Sequence, residues 1–183
     1  MSFALVVRSP TSSRSRGSGP LDRVTINKIH FPLYPFPLFM QTILFLCTGN
    51  YYRSRFAQHL FNHLAKLHNL DWQADSRGLA LERGANNVGA ISHYAYSALA
   101  ERNIVLLDDE RLPQAAQLQD FQTFTKIIAI DESEHRPLMV ERFAEWADNI
   151  EYWLVHDIDK TTADEALGQI EKNVIRLIEE LKS

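Results

Sequence analysis

An apolar run that ends on the chain's only cysteine, passes through a short polar loop and opens at once into a helical pattern is the feature that most narrows the possible folds. It reads Leu44, Phe45, Leu46, Cys47, then Thr48, Gly49, Asn50, Tyr51, Tyr52, then Arg53 and Ser54. Residues 42–46 are apolar almost throughout, which suits a parallel strand buried on both faces, and a parallel strand needs a crossover to reach its neighbour. Phe56, Leu60, Leu64 and Leu67, with Phe61 beside them, then recur at helical spacing to about residue 69. The junction carries its own chemistry. The first N–H groups of a helix lack intrahelical acceptors and the dipole places positive charge there, so the loop favours an anion such as phosphate. Gly49 lets the backbone approach a ligand or take φ > 0, Asn50 tolerates the left-handed region, and together they allow several N–H groups to turn inward as a nest.

Cys47 and Arg53 stand at the two ends of that nest. A thiol at a helix N-terminus beside a guanidinium is predicted to be largely thiolate near neutral pH. Arg53 can grip two phosphate oxygens at once, and Ser54 is placed to donate its hydroxyl to the sulfur. Most lone cysteines are buried small hydrophobes, but the loop and the arginine favour a nucleophile here. The pattern Cys-x5-Arg-Ser after an apolar strand, with Gly49 and Asn50 inside it, closely resembles the active-site loop of the low-molecular-weight protein tyrosine phosphatases. That resemblance implies Cys47 as nucleophile, Arg53 as the catalytic phosphate-binding residue, and Thr48, Gly49, Asn50, Tyr51, Tyr52 and Ser54 around the substrate.

The rest of the chain alternates strand and helix. Residues 72–76 read as a short strand, and Asp75-Ser76-Arg77-Gly78 turns the chain back, where the resembled family has a Ser-x-Gly. Ile91, Ala95, Ala98 and Leu99 pattern a helix with Ser92 as its cap or a first-turn residue. A short strand is expected at 104–107, and Pro113 is expected to open a short helix through Leu118. Residues 126–131 form the clearest later strand, followed by a helix over 132–144, a strand over 150–155 and a final amphipathic helix carrying Ala166, Ile170, Val174, Leu177, Ile178 and Leu181. Such alternation indicates a parallel sheet covered on both faces. With the resemblance, the expectation is a single-domain, doubly wound, flavodoxin-like sheet of about four strands.

Cleaving a phosphate ester with a thiolate also needs an acid for the leaving oxygen, and in open parallel sheets functional groups gather beyond the carboxyl ends of the strands. His156-Asp157-Ile158-Asp159 follows the last strand. The resembled family carries its general acid in this loop as Asp-Pro; Asp157 aligns with that aspartate, Ile158 replaces the proline, and Asp159 is the substitute acid. Further departures are Tyr52 where a second cysteine is common, Arg55 where a proline often follows the serine, and Glu134 where an asparagine is expected. Tyr51 and Tyr52 either wall the cleft or pack against the sheet.

Composition bounds the remaining possibilities. A chain of 183 residues, 45% hydrophobic and 23% charged, suits one globular domain. Residues 1–39 are Arg/Ser-rich, broken by prolines and without period, and are expected to be a disordered extension to a domain over 40–183. That extension carries about +4 of a net charge of -4, leaving about -8 for the domain, which argues against nucleic acid and anionic membrane as partners. No apolar run approaches the ~20 residues that span a bilayer. One cysteine excludes an internal disulfide and fits a reducing cytoplasm. His59, His63 and His68 lack partners at ligand spacing, and neither a G-x-x-x-x-G-K-S/T nor a G-x-G-x-x-G nucleotide-binding motif is present, so neither metal nor cofactor is expected. The reading is a cytoplasmic phosphomonoesterase that acts through a phosphocysteine on a phosphorylated protein or small phosphomonoester. Two alternatives stand beside it: a binding module that holds a phosphate or phosphoprotein without turnover, and an arsenate reductase-like enzyme, which with Cys47 alone would need an outside thiol.

Overall fold

β1 spans Gln41–Cys47 in the computed structural model, which describes residues 40–107 and 109–182. The extension expected over 1–39 lies outside the described residues. Side chains alternate across β1, and both sides are buried, which is why its sequence is apolar without a break. Ile43 and Phe45 face a core layer built from α1 (Arg53–Leu67), α2 (His93–Glu101) and α5 (Ala163–Leu181), where Phe56, Phe61, Leu99, Ile170 and Val174 are buried. Leu44 and Leu46 face a second layer, with Phe121 of α3 (Leu118–Thr123) and Leu138 and Met139 of α4 (Glu132–Arg142). Each large side chain so buried contributes about 1.5–3 kcal/mol.

Three further strands, β2 (Trp72–Gly78), β3 (Lys126–Ala129) and β4 (Glu151–Tyr152), complete an all-parallel sheet in the order β2-β1-β3-β4. Four parallel strands with helices on both faces make the doubly wound sheet that the alternation implies. The winding reverses at β1, so the crevice that such a sheet opens at its switch point lies at the carboxyl end of β1, where Cys47 sits. The outer backbone of β2 is partly covered: the Asn62 side chain donates to Ala74 O and accepts from Ala74 N–H. Ser92 caps α2 by accepting from Ala95 N–H, and Thr162 with Glu165 forms a capping box on α5. No described helix is long and apolar enough to cross a membrane.

Three local expectations fail. Asp75-Ser76-Arg77-Gly78 does not turn the chain back: all four residues continue β2, with Gly78 in register with Cys47. Residues 104–107 are not a strand: Ile104 is buried and Leu106 half-buried against the first core layer, Val105 and Leu107 point outward, and Ile104 N–H donates to Leu99 O as α2 ends. The alternation there reports one buried face, and among the described residues no strand pairs with it. Pro113 does not open a helix. Residues 114–116 run beside the end of β2 instead, with Gly78 N–H donating to Gln114 O and Ala116 N–H to Gly78 O, and α3 begins only at Leu118. The strand expected over 150–155 pairs as a ladder at two residues only, yet the chain stays extended along β3, since Trp153 N–H donates to Ala129 O and Val155 N–H to Ile130 O.

Candidate active site

Cys47 is the last residue of β1, and the five residues after it form the loop. Asn50, not Gly49, takes the left-handed conformation, with φ of 49°. Its buried amide is fully engaged: Nδ2 donates to Ser54 Oγ (3.1 Å) and Ser76 Oγ (2.8 Å), and Oδ1 accepts from Arg111 (3.0 Å) and Gln114 N–H (2.9 Å). Because Ser54 Oγ accepts from Asn50, its own hydrogen is available to the Cys47 sulfur 3.0 Å away. The glycine demanded by close approach is Gly78 on β2. A Cβ there would lie 2.9 Å from Thr48 O and 3.1 Å from Asn50 N. The first backbone bond of α1 is Phe56 N–H to Tyr52 O, so the N–H groups of Arg53, Ser54 and Arg55 have no intrahelical acceptor.

Arg53 is buried at the start of α1 and its guanidinium gathers three elements. Nη1 donates to Val155 O (3.2 Å), while Nη2 donates to Glu134 and to Asp157, each at 2.7 Å. Asp131 Oδ2 lies 3.9 Å from Nη1. Burial alone would lower the Arg53 pKa; the Cys47 sulfur, Asp157 and Glu134 outweigh it and hold the guanidinium charged. Glu134 also accepts from the Thr48 hydroxyl. Burial pushes its carboxyl up, but Arg53 and Thr48 bring it below its ordinary value. His135 is fully buried; burial and Arg53 lower it to about 4, so it is neutral, accepting from Asp131 N–H through Nδ1.

Asp157 thus reaches the cleft of Cys47 from the far end of the sheet, and Asp159 has no such contact with Arg53. An open cleft of about 290 Å³ is lined by Cys47, Gly49, Tyr51, Tyr52, Arg53, Asn87, Ser92, His93, Tyr94, Asp157 and Ile158. Tyr51 donates to Val88 O and its carbonyl accepts from Ser92 N–H, which brings residues 87–94 to the rim. Tyr52 is buried, meets Tyr94 edge-on and donates to Ala163 O, tying the loop to α5. Burial first, then the negative charge of Asp157, pushes its phenol well above the ordinary value. Among the described residues no cluster of His, Cys, Asp and Glu is arranged to hold a metal ion. His59 is instead half-buried beside Glu110 and lowered to about 4, chiefly by burial.

Several residues that shape the site carry no local signal. Arg111, from the segment before α3, bonds Asn50, Asp75 and Ser76 O together. Arg55, wholly buried, is paired with Glu110 and bonded to Gln58. Asp131 and His156 bond each other beneath Arg53. Arg55 lies in the helix after the loop and Asp131 at the end of the strand expected over 126–131, and nothing in their local sequence marks these contacts.

The sequence profile of the low molecular weight phosphotyrosine protein phosphatase family matches residues 42–183. The chain belongs to that family. Several solved structures share the fold of this phosphatase-family member. YfkJ from Bacillus subtilis superposes with a TM-score of 0.65 at 24% identity, over 78% of this chain and 95% of that one. The low molecular weight protein tyrosine phosphatase from T. tengcongensis gives 0.64 at 24% identity, over 76% and 99%. SP-PTP, the low molecular weight protein tyrosine phosphatase from Streptococcus pyogenes, gives 0.64 at 22%, over 79% and 95%. Comparison with curated protein sequences gives no match. The four departures from the family pattern all lie in or against the site of this low molecular weight phosphatase relative: Tyr52 bonds Ala163, Arg55 pairs with Glu110, Glu134 holds Arg53, and Ile158 lines the cleft.

Proposed function

We propose that the protein is a cytoplasmic phosphomonoesterase working through a phosphocysteine. The Cys47 sulfur attacks phosphorus, forming the S–P bond as the P–O ester bond breaks, and Asp157 gives its proton to the departing oxygen. The loop N–H groups and Arg53 stabilise the equatorial oxygens. Asp157, now a carboxylate, takes a proton from water as that water attacks phosphorus and the S–P bond breaks, releasing inorganic phosphate. Thr48, Gly49, Asn50, Tyr51, Tyr52 and Ser54 shape and wall the phosphate seat. Substrates are phosphorylated proteins or small phosphomonoesters.

The observation that carries this reading is that Cys47, Arg53 and Asp157 line one cleft, with Asp157 bonded to Arg53 across 104 positions of sequence. The Ser54 hydroxyl, free to donate to sulfur, supports the nucleophile. The test is Cys47→Ser. Turnover of p-nitrophenyl phosphate should be lost while vanadate still binds, because the loop survives the loss of the thiol; wild-type rates in that variant would end the covalent reading.

A further inference from the structure

The loop that brings Asp157 to Arg53 is anchored at one point by a side chain with no place in the chemistry above. His156 Nδ1 lies 2.9 Å from Asp131 Oδ2. Asp131 is buried at the end of β3, where it caps α4: its Oδ1 accepts from both Ser133 N–H and Ser133 Oγ. An ionised carboxylate only accepts, so His156 carries its hydrogen on Nδ1 and donates it. The adjoining contacts close a ring. Val155 O accepts from Arg53 Nη1, Asp157 Oδ2 accepts from Arg53 Nη2, and Asp131 Oδ2 faces Arg53 at 3.9 Å, just beyond hydrogen-bond reach. His156 therefore does two things at once. It pins the backbone one residue before Asp157, and it satisfies an Oδ2 that would otherwise turn to the nearest cation, Arg53, at the expense of the phosphate and of Asp157.

We propose that His156 is a positioning residue for the acid, aiming Asp157 into the cleft through its bond to Asp131. The proposal rests on Asp157 being the acid. Ile158, which follows it, supplies none of the rigidity of a fixed-φ residue, and among the described residues the hydrogen bonds that hold the turn after Asp157 are local: Ile158 N–H to Asp157 Oδ1, and Lys160 and Thr161 N–H to Asp157 O.

The experiment compares kcat/KM on phenyl phosphate, whose leaving oxygen needs a proton, with kcat/KM on p-nitrophenyl phosphate, whose leaving group scarcely does. The variants are His156→Ala, His156→Asn, Asp157→Asn and His156→Ala/Asp157→Asn, with urea unfolding of each. His156→Ala should lose roughly tenfold on phenyl phosphate and under about threefold on p-nitrophenyl phosphate, since a misaimed acid forfeits part of the ~10²–10⁴-fold that a well-placed one supplies. His156→Asn, which keeps an N–H at the Nδ1 position, should recover most of that loss. The double variant should be no slower on phenyl phosphate than Asp157→Asn alone. Equal losses on the two esters, a double variant slower by the full tenfold, or no recovery with asparagine overturns the positioning role while leaving Asp157 as the acid. Absence of any leaving-group selectivity in Asp157→Asn itself removes the acid assignment and this inference with it.

Discussion

Asn50→Ala is expected to be among the most costly single substitutions in the domain although it removes only one short polar side chain. Alanine at φ near +50° carries roughly 1–2 kcal/mol of backbone strain that asparagine largely avoids. The lost bonds to Ser54 and Ser76 contribute about 0.5–1.5 kcal/mol each, and Gln114 N–H, left without its acceptor in a half-buried setting, costs about 1–3 kcal/mol. Arg111 keeps Asp75 and Ser76 O, so its loss is small. The sum is roughly 3–8 kcal/mol, a large share of the ~5–15 kcal/mol by which domains are stable. Urea unfolding followed by fluorescence of Trp72, Trp146 and Trp153 measures it directly. Asn50→Gly removes the strain but not the lost bonds and should be milder by about 1 kcal/mol. Neither variant should regain full kcat/KM, because Ser54 has lost the donor that orients its hydroxyl toward sulfur. A cost below about 1 kcal/mol for Asn50→Ala, or an Asn50→Gly variant no better than the alanine, would refute the account of this residue as the loop's brace.

Glu134→Gln removes a carboxylate that competes with phosphate for Arg53, so inhibition by inorganic phosphate should tighten by up to about tenfold, or ~1.4 kcal/mol; unchanged or weaker inhibition would contradict it. His135 and His59 have folded values near 4 against an ordinary 6.5, so between those pH values the unfolded chain binds the extra protons and stability should fall as pH drops through that window, on the order of 3 kcal/mol at most for each. A flat stability profile from pH 7 to 4 would show that neither is held neutral. Deleting residues 1–39 should leave the urea midpoint and kcat/KM unchanged, since that segment has neither period nor core pattern; a lower midpoint would mean that it contributes to the fold.

What could be read along the chain depended on how far apart the cooperating residues lie. Cys47, Asn50 and Ser54 fall within one strand-loop-helix junction, seven positions end to end, and the periodicities on either side place that junction without help. The contact of Asp157 with Arg53 was accessible through topology, because parallel strands bring their carboxyl ends to one edge. Residues 104–107 misled because alternation reports which side is buried and says nothing of a pairing partner. Pro113 misled because a proline suits a helix start and also an extended segment beside a strand. Glu134 showed only as a departure from the family pattern, and Arg111 and His156 carried no role: each acts through a partner 81, 61 or 25 positions away, and no local pattern encodes such a pairing.

The placement of β1 in the middle of the sheet, though it is the first strand among the described residues, has a consequence for the protein's biosynthesis. β2 can add to one side of β1 soon after it leaves the ribosome, but its other neighbour, β3, is more than 80 residues downstream in register. Through that interval β1 presents a bare row of backbone donors and acceptors along an apolar strand, the kind of edge that recruits other chains. The Cys47 sulfur is among the earliest side chains of the domain to emerge, whereas the Asp157 loop arrives only just before α5. On the proposed mechanism, a nascent chain wound in this order carries Cys47 for most of translation without the acid loop that turnover of phosphate would need, and that loop is seated only when the last strand docks.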